Sequence, residues 1–254
     1  MQSKISNKKI FFASDVHLGH PNIEQGKWRE LLFVKWLDEI KEDASEIYLV
    51  GDIFDFWYEY KHVVPRGFVR TLGKIAEIVD SGIPVHFFTG NHDIWVKDYL
   101  PKELGVILHR EPIEKTLMGK TFYIAHGDGL GPGDYSYKLL KKVFTNKVLQ
   151  WMFSRIHPNF SLWLAHRWSN TSRSSKGIVA ETFNGEDKEL LYQYSHKLLQ
   201  SKYYDYLVFG HRHIMVNMLM NKTSRYINLG DWVANFSYGV FDGNEFKLLK
   251  YKKE

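Results

Sequence analysis

The 254-residue sequence contains no cysteine, so disulfide bridges, thiolate metal sites and a cysteine nucleophile are excluded. Long apolar runs are missing as well. The longest stretch free of Asp, Glu, Lys and Arg is the 12 residues from Ser81 to His92, short of the ~18 that a spanning helix needs. The N-terminal MQSKISNKKIFFASD has neither a long apolar h-region nor a small-residue cleavage site, which leads us to expect a cytoplasmic protein. Repeats and low-complexity linkers are absent. At 44% hydrophobic and 25% charged residues the balance is globular, and disorder and fibrous repeats are out. The length allows one large domain or two small ones.

Acidic residues are scarce in one segment. From Asp134 to Gly177, Asp134 is the only acid among eight basic residues: Lys138, Lys141, Lys142, Lys147, Arg155, Arg167, Arg173 and Lys176. The segment carries +7 of a formal total of +5, leaving the rest of the chain slightly acidic. It also holds Tyr135, Tyr137, Phe144, Trp151, Phe153, Phe160, Trp163 and Trp168. A basic, aromatic-rich segment on a near-neutral body fits an anionic, partly apolar partner. The plainer reading is an amphipathic hairpin with solvated lysines, whose aromatics pack its helices together.

Lys9–Ser14 reads as a short buried strand, Glu46–Val50, Pro84–Thr89, Lys120–Ala125 and Tyr206–Phe209 as further strands, and the last 30 residues as β-rich runs with Gly-Asp and Asp-Gly turns. Trp28, Leu32, Trp36 and Ile40 at fourfold spacing, broadened by Leu31, Phe33 and Leu37, form the stripe of an amphipathic helix over Trp28–Lys41. Arg66–Asp80 and Asp187–Ser201 read as helices, the first closed at Gly82. Residues 134–177 read as helical, broken at Pro158 and in SNTSRSS. This alternation predicts an α/β layered domain over 1–254 with an inserted helical cap at about 134–177.

Five strand-like runs stop at metal-friendly side chains: Asp15-x-His17, Asp52 in GDIFD, Asn91-His92 in GNHD, His126 in HGD, and His211-x-His213 in GHRH. Ligands in α/β sheets bind beyond the carboxyl ends of strands. Glycines 51, 90, 127 and 210 beside these residues allow tight turns and close backbone approach. Leaving His92 aside, two carboxylates, one amide oxygen and four imidazoles are too many for one tetrahedral ion. They suit two adjacent divalent cations sharing one carboxylate, and Asp52, alone on its strand end, is the natural bridge. With no sulfur in the set, Mn²⁺, Fe or Zn²⁺ fits better than a soft metal. The other seven histidines read as surface or packing residues.

The order D-x-H, G-D-x-x-D, G-N-H-D, H, G-H-x-H resembles the signature of the calcineurin-like metallophosphoesterases. The resemblance implies a four-layer αββα sandwich with a dinuclear site. One metal would take Asp15, His17, Asp52 and His213, and the other Asp52, Asn91, His126 and His211. His92 would contact the substrate phosphate and serve as a general acid, with Asp55 and Asp93 behind the ligands or capping turns. Between these motifs the spacings are 37, 39 and 35 residues, then 85 across the cap. That insertion, with HGD followed by Asp134, then DYSY, VLQWMF, Arg167 to Asn170, SSK at 174–176 and INLGDW, resembles one branch of the family. Its members cleave UDP-2,3-diacylglucosamine to UMP and 2,3-diacylglucosamine 1-phosphate in lipid A synthesis. On that resemblance the cap would form an acyl-chain pocket, and Asp134, Arg167, Ser169, Asn170, Arg173 and Lys176 would contact the polar part of the substrate. The partners expected are this anionic lipid and, peripherally, the inner membrane surface. His92 stands where that branch has arginine, which keeps another phosphodiester or nucleotide as the alternative substrate. A nuclease is disfavoured because the basic residues lie in an aromatic segment and not in a continuous stripe, so no nucleic acid is expected. A non-catalytic scaffold would have lost ligands, and none is missing.

Overall fold

The computed structural model describes residues 8–133, 135–161, 163–164, 182–183 and 185–251. In chain order its strands are β1 (Lys9–Ala13), β2 (Ala44–Val50), β3 (Val85–Phe88), β4 (Ile107–His109), β5 (Ile113–Leu117), β6 (Lys120–Ala125), β7 (Tyr206–Phe209), β8 (Met215–Leu219), β9 (Arg225–Leu229), β10 (Ser237–Phe241) and β11 (Phe246–Lys250). The helices are α1 (Lys27–Ile40), α2 (Val69–Asp80), α3 (Tyr99–Leu104), α4 (Tyr135–Thr145), α5 (Lys147–Phe153) and α6 (Leu190–Ser201).

Side chains alternate across a pleated strand, so each buried strand serves two layers. Ile10 and Phe12 of β1, with Tyr48 and Val50 of β2, meet Phe122 and Ile124 of β6 and Tyr206 and Val208 of β7 in one core. Phe11, Ala13, Ile47 and Leu49 point the other way, against Phe33 and Trp36 of α1, Ile75 and Ile78 of α2 and Leu100 of α3. On the far side Tyr123, Leu207 and Phe209 pack on Leu191 and Tyr192 of α6. Two sheets thus lie between two helical layers, the αββα sandwich. The first sheet runs β11-β10-β1-β2-β3-β4 and the second β5-β6-β7-β9-β8. β1 to β4 are mutually parallel, as are β6, β7 and β9, so their carboxyl ends deliver loops to one region. Among the described residues no helix is long and apolar enough to cross a membrane.

Several local expectations shift. The inward face of α1 is Phe33, Trp36, Leu37 and Ile40, while Trp28 is 41% exposed. Trp28 overhangs the core and packs on Phe236, with Arg29 over its ring. α2 starts at Val69, not Arg66, because Gly67 and Phe68 both have positive φ and break the helical run. α6 starts at Leu190, after a turn in which Lys188 N donates to Gly185 O. The helical run is interrupted over 154–157 and resumes at Pro158, as suits a residue with no N–H to lose. A further break falls at Asn146, whose side chain accepts from Val148 N and Leu149 N and caps α5. The Ser-rich stretch lies outside the described residues.

The two sheets are also tied by a polar cluster toward the amino-terminal end of β2. Lys115 Nζ on β5 donates to Glu46 Oε2 on β2 at 2.7 Å, and Tyr48 OH donates to the same oxygen at 2.6 Å. His86 Nε2 lies 3.2 Å from that oxygen, and His86 Nδ1 lies 2.8 Å from His109 Nε2. The His86 hydrogen bond holds the Glu46 carboxyl down at about 2, with Lys115 and Tyr48 adding to it against burial. Burial, then the neighbouring His86 and Lys115, push His109 down to about 4. Both shifts weaken the fold in acid. The native state refuses the proton that an unfolded His109 takes up near 6.5, so stability falls between pH 6.5 and 4. Glu46 adds stability above its ordinary 4.5 that is lost toward pH 2. The urea midpoint of His109→Gln should therefore approach that of the wild type steadily as pH falls from 6.5 to 4. A gap that stays constant over that range would rule out the His109 contribution.

Candidate metal centre

Sharp turns follow the central strands of both sheets, and five of the residues marked out above sit in them with left-handed backbone. Asp15, His17, Asp52, His211 and His213 have φ between 48° and 68°. For residues with a side chain this costs ~1–3 kcal/mol each and persists only where surroundings impose it. The surroundings here are loop-to-loop hydrogen bonds. Asp15 N donates to Gly51 O, His17 N to Asp52 O, Gly210 N to His126 O, and Trp232 N to Asp15 O. Three glycines are required by contact, Gly51 among them, where a Cβ would fall on the His126 ring. A Cβ at Gly90 would fall on the Asp52 carboxylate, and one at Gly210 on Ser14 Oγ.

Asp15 is fully buried. Its Oδ2 accepts from Ser14 Oγ at 2.6 Å and from His211 N at 2.8 Å, which joins the two sheets. Its Oδ1 lies 3.2 Å from His213 Nε2 and 3.7 Å from His17 Nε2. Asp52 Oδ1 accepts from His92 N at 2.8 Å, and its Oδ2 lies 3.4 Å from His126 Nε2 and 3.9 Å from His17 Nε2. His126 Nδ1 donates to Val50 O at 2.9 Å, so its Nε2 faces inward, 3.4 Å from Asn91 Oδ1. Ligand atoms of Asp15, His17 and His213 lie within 4.8 Å of one another, as do those of Asp52, His126 and His211. The structure therefore brings Asp15, His17, Asp52, Asn91, His126, His211 and His213 to one place, with Asp52 between the two groups.

His92 stands edge-on to His17, ring centroids 4.9 Å apart, with Nδ1 2.9 Å from Asp55 O. Asp55 Oδ1 lies 3.4 Å from His17 Nδ1, on the side of that ring away from Asp15. Asp93 accepts from Gly90 N at 2.7 Å and Ile53 N at 2.8 Å and ties the GNHD loop to the GDIFD loop. Asp134, Arg167, Ser169, Asn170, Arg173 and Lys176 lie outside the described residues.

Sequence reasoning missed Asp231. Its Oδ1 accepts from Val233 N and Ala234 N, its Oδ2 from Asn235 Nδ2, and Oδ2 lies 3.9 Å from His213 Nδ1. The available signal was its Gly-Asp dipeptide straight after a β-run, the pattern of Gly51-Asp52. Asp128 was also missed, and its partners are nine and thirteen residues further along the chain.

The electrostatics fit a cation. Burial raises the Asp15 and Asp52 carboxyls, yet the imidazoles of His213, His17 and His126 around Asp15, and of His126, His92 and His17 around Asp52, hold both well below the usual range. Burial lowers His126, but Asp52 outweighs it and drives the ring well above its ordinary value. His211 is pushed down to about 4 by burial and by His126. Burial, then the Asp52 charge, raises Asp93 to about 7. A buried, acidic pocket of mixed O and N donors, with one carboxylate oxygen facing only imidazoles among the described residues, suits divalent cations of the borderline class.

The chain matches the model of the calcineurin-like phosphoesterase family over residues 8–215. It is 37% identical to a UDP-2,3-diacylglucosamine hydrolase from Porphyromonas gingivalis, an alignment covering 94% of this chain and 96% of that protein. A UDP-2,3-diacylglucosamine hydrolase from Histophilus somni is 28% identical over 95% of this chain and all of its own length. Among solved structures, the Escherichia coli phosphoesterase Yfce aligns with 95% of this chain and 92% of its own, at 15% identity and a TM-score of 0.46. On its family match and its likeness to the Porphyromonas protein, the chain belongs to the calcineurin-like phosphoesterases.

Proposed function

We propose that this protein is a metal-dependent hydrolase that cleaves the pyrophosphate of UDP-2,3-diacylglucosamine into UMP and 2,3-diacylglucosamine 1-phosphate, a step of lipid A synthesis. The observation that carries this reading is the buried Asp/His/Asn centre beside an amphipathic helical cap. The activity of the two relatives from Porphyromonas gingivalis and Histophilus somni supports it, since both align over nearly the whole chain.

Asp15, His17, Asp52 and His213 would hold one divalent cation, and Asp52, Asn91, His126 and His211 would hold the second. Bound cations of this kind neutralise phosphoryl oxygens and make a water at the site a stronger nucleophile at neutral pH. Manganese suits the donor set, with iron or zinc as alternatives. The chain's residues do the rest. Val50 O fixes the His126 tautomer and Asp55 orients His17, as partners of ligating imidazoles do. His92, anchored through Nδ1, turns its other nitrogen to the substrate phosphate. Hydrolysis at the UMP-side phosphorus expels a sugar phosphate, which leaves without needing a proton, so a hydrogen-bonding or cationic group at this position suffices. Asp134, Arg167, Ser169, Asn170, Arg173 and Lys176 contact the polar half of the substrate.

The cap meets the lipid. On α4 and α5 Leu139 is 66% and Trp151 58% exposed, next to exposed Val148 and Met152. Lys142, Lys147 and Arg155 are exposed beside them. This mix suits shallow insertion among anionic headgroups on the cytoplasmic face of the inner membrane.

Three outcomes follow. Asp52→Ala or His126→Ala should lower turnover by about 10³-fold or more while retaining a cooperative unfolding transition; wild-type turnover in either, under controlled metal content, would place the centre elsewhere. With Mn²⁺ present, UDP-diacylglucosamine should be cleaved far faster than UDP-glucosamine lacking acyl chains, whereas equal rates would remove the lipid and leave a generic phosphoesterase. Vesicles rich in phosphatidylglycerol should sediment the protein at low salt and release it at high salt, and Leu139→Ser with Trp151→Ser should weaken that binding. Equal sedimentation of wild type and variant would dismiss the cap as the membrane contact.

A further inference from the structure

We infer that Asp128 is a positioning residue: paired with Lys141 and Tyr137, it latches the first cap helix to the loop that carries His126 and so sets where the cap stands over the metal centre. This rests on the reading that the cap binds the acylated half of the substrate.

Asp128 is 5% exposed, two residues beyond His126. A buried carboxylate needs strong partners, and two of them come from α4. Tyr137 OH and Lys141 Nζ each donate to Asp128 Oδ2 at 2.7 Å, and the same ammonium reaches Asp128 O at 3.3 Å. Tyr137 and Lys141 are four residues apart, hence neighbours on one helix face. Lys138, on the same side, donates to Gly131 O at 2.6 Å. Three successive inward positions of α4 therefore grip residues 128–131.

The other end of the cap is held from the first sheet. Trp95 Nε1 donates to Phe144 O and Tyr58 OH to Gln150 O, both at 2.8 Å. Those are neutral bonds to main-chain oxygens, whereas the Asp128 attachment is charged and about twice as strong. The cap thus spans the mouth of the site from the loops of one sheet to the loop of the other. Tyr137 connects the latch to the centre itself, its ring centroid 6.3 Å from that of His211. Asp128 falls in none of the three groups of side chains able to hold an ion among the described residues, and its carboxylate is already engaged.

The test is a double-mutant cycle on the manganese-loaded enzyme. Asp128→Asn and Lys141→Met should each raise KM for UDP-diacylglucosamine about tenfold with a smaller change in kcat. The double variant should be no worse than either single one, and Lys141→Arg should keep the wild-type KM. Lys141→Met should hydrolyse bis(p-nitrophenyl) phosphate, which has no acyl half to place, within about twofold of wild type. Additive effects in the cycle, or equal losses of Lys141→Met on both substrates, would overturn the latch. A wild type active on the aryl diester but not on the UDP-lipid would sink the substrate reading instead. In that event amide exchange still decides. Lys141→Met should speed exchange across 135–145, and unchanged exchange would overturn the latch.

Discussion

Two carboxylates, Asp15 and Asp52, are buried side by side at the ends of adjacent parallel strands, and much else in the molecule serves that arrangement. Ionised groups out of water are costly unless countercharged and hydrogen-bonded. Their compensation comes from imidazoles delivered by both sheets and from main-chain N–H groups of neighbouring loops. Bringing so many donors to two side chains requires loops that turn back within one or two residues, hence the left-handed backbone at five of these positions. It requires backbone closer than any Cβ would allow, hence Gly90 and Gly210. It also requires the carboxyl ends of two separate sheets to meet, which the sandwich provides by packing Phe12, Phe122 and Tyr206 between them.

The same constraint decides what could be read from the sequence. Each of the five motifs couples a β-run, a glycine or tight turn and a donor side chain, and all three are local. Their convergence was legible because parallel strands end on the same side of a sheet. Asp231 was not legible. An aspartate accepting from the two or three N–H groups after it is an ordinary turn-former, and only the third dimension reveals His213 beside it. Asp128 was hidden for a related reason, since its partners lie on a helix whose inward face depends on what it packs against. The α1 stripe was legible in its core, since Phe33, Trp36, Leu37 and Ile40 are buried and Leu32 packs against them, but its edge was not, because the 232–236 segment crossing between the sheets decided which side of the stripe is covered. Trp232 took the buried place beside Phe33 and Trp36, and Trp28 was left at the rim.

On the proposed function, chemistry and selectivity reside in different parts of this chain. The metal centre handles phosphoryl oxygens, which are alike in every phosphate ester and anhydride, so it discriminates little among them. Acyl chains are different. Each buried CH₂ contributes ~0.8 kcal/mol, so a dozen of them outweigh any single ionic contact. A substrate with two long chains is therefore selected by apolar surface, and the exposed apolar surface of the described chain is concentrated on the cap helices. That surface is also what would make a free cap stick to membranes or to other copies, and the lysines between its apolar residues oppose the second outcome by like-charge repulsion.

On the proposed function, the nature of the leaving group reconciles His92 with the substrate. A general acid is needed when an alkoxide departs, because its conjugate acid has a pKa far above 7. A sugar phosphate departs as a stable anion, and for it the residue after Asn91 has only to hold a phosphoryl oxygen in place. The geometry is adequate to that lesser task. Asp55 O engages Nδ1, and the ring is braced edge-on against His17. Histidine and arginine are then alternative solutions at one position, differing in reach and in permanence of charge but not in what the reaction asks of them. On the proposed function the same residue would protonate an alkoxide if the cap admitted such a substrate, so what the cap admits, and not His92, would set the reaction.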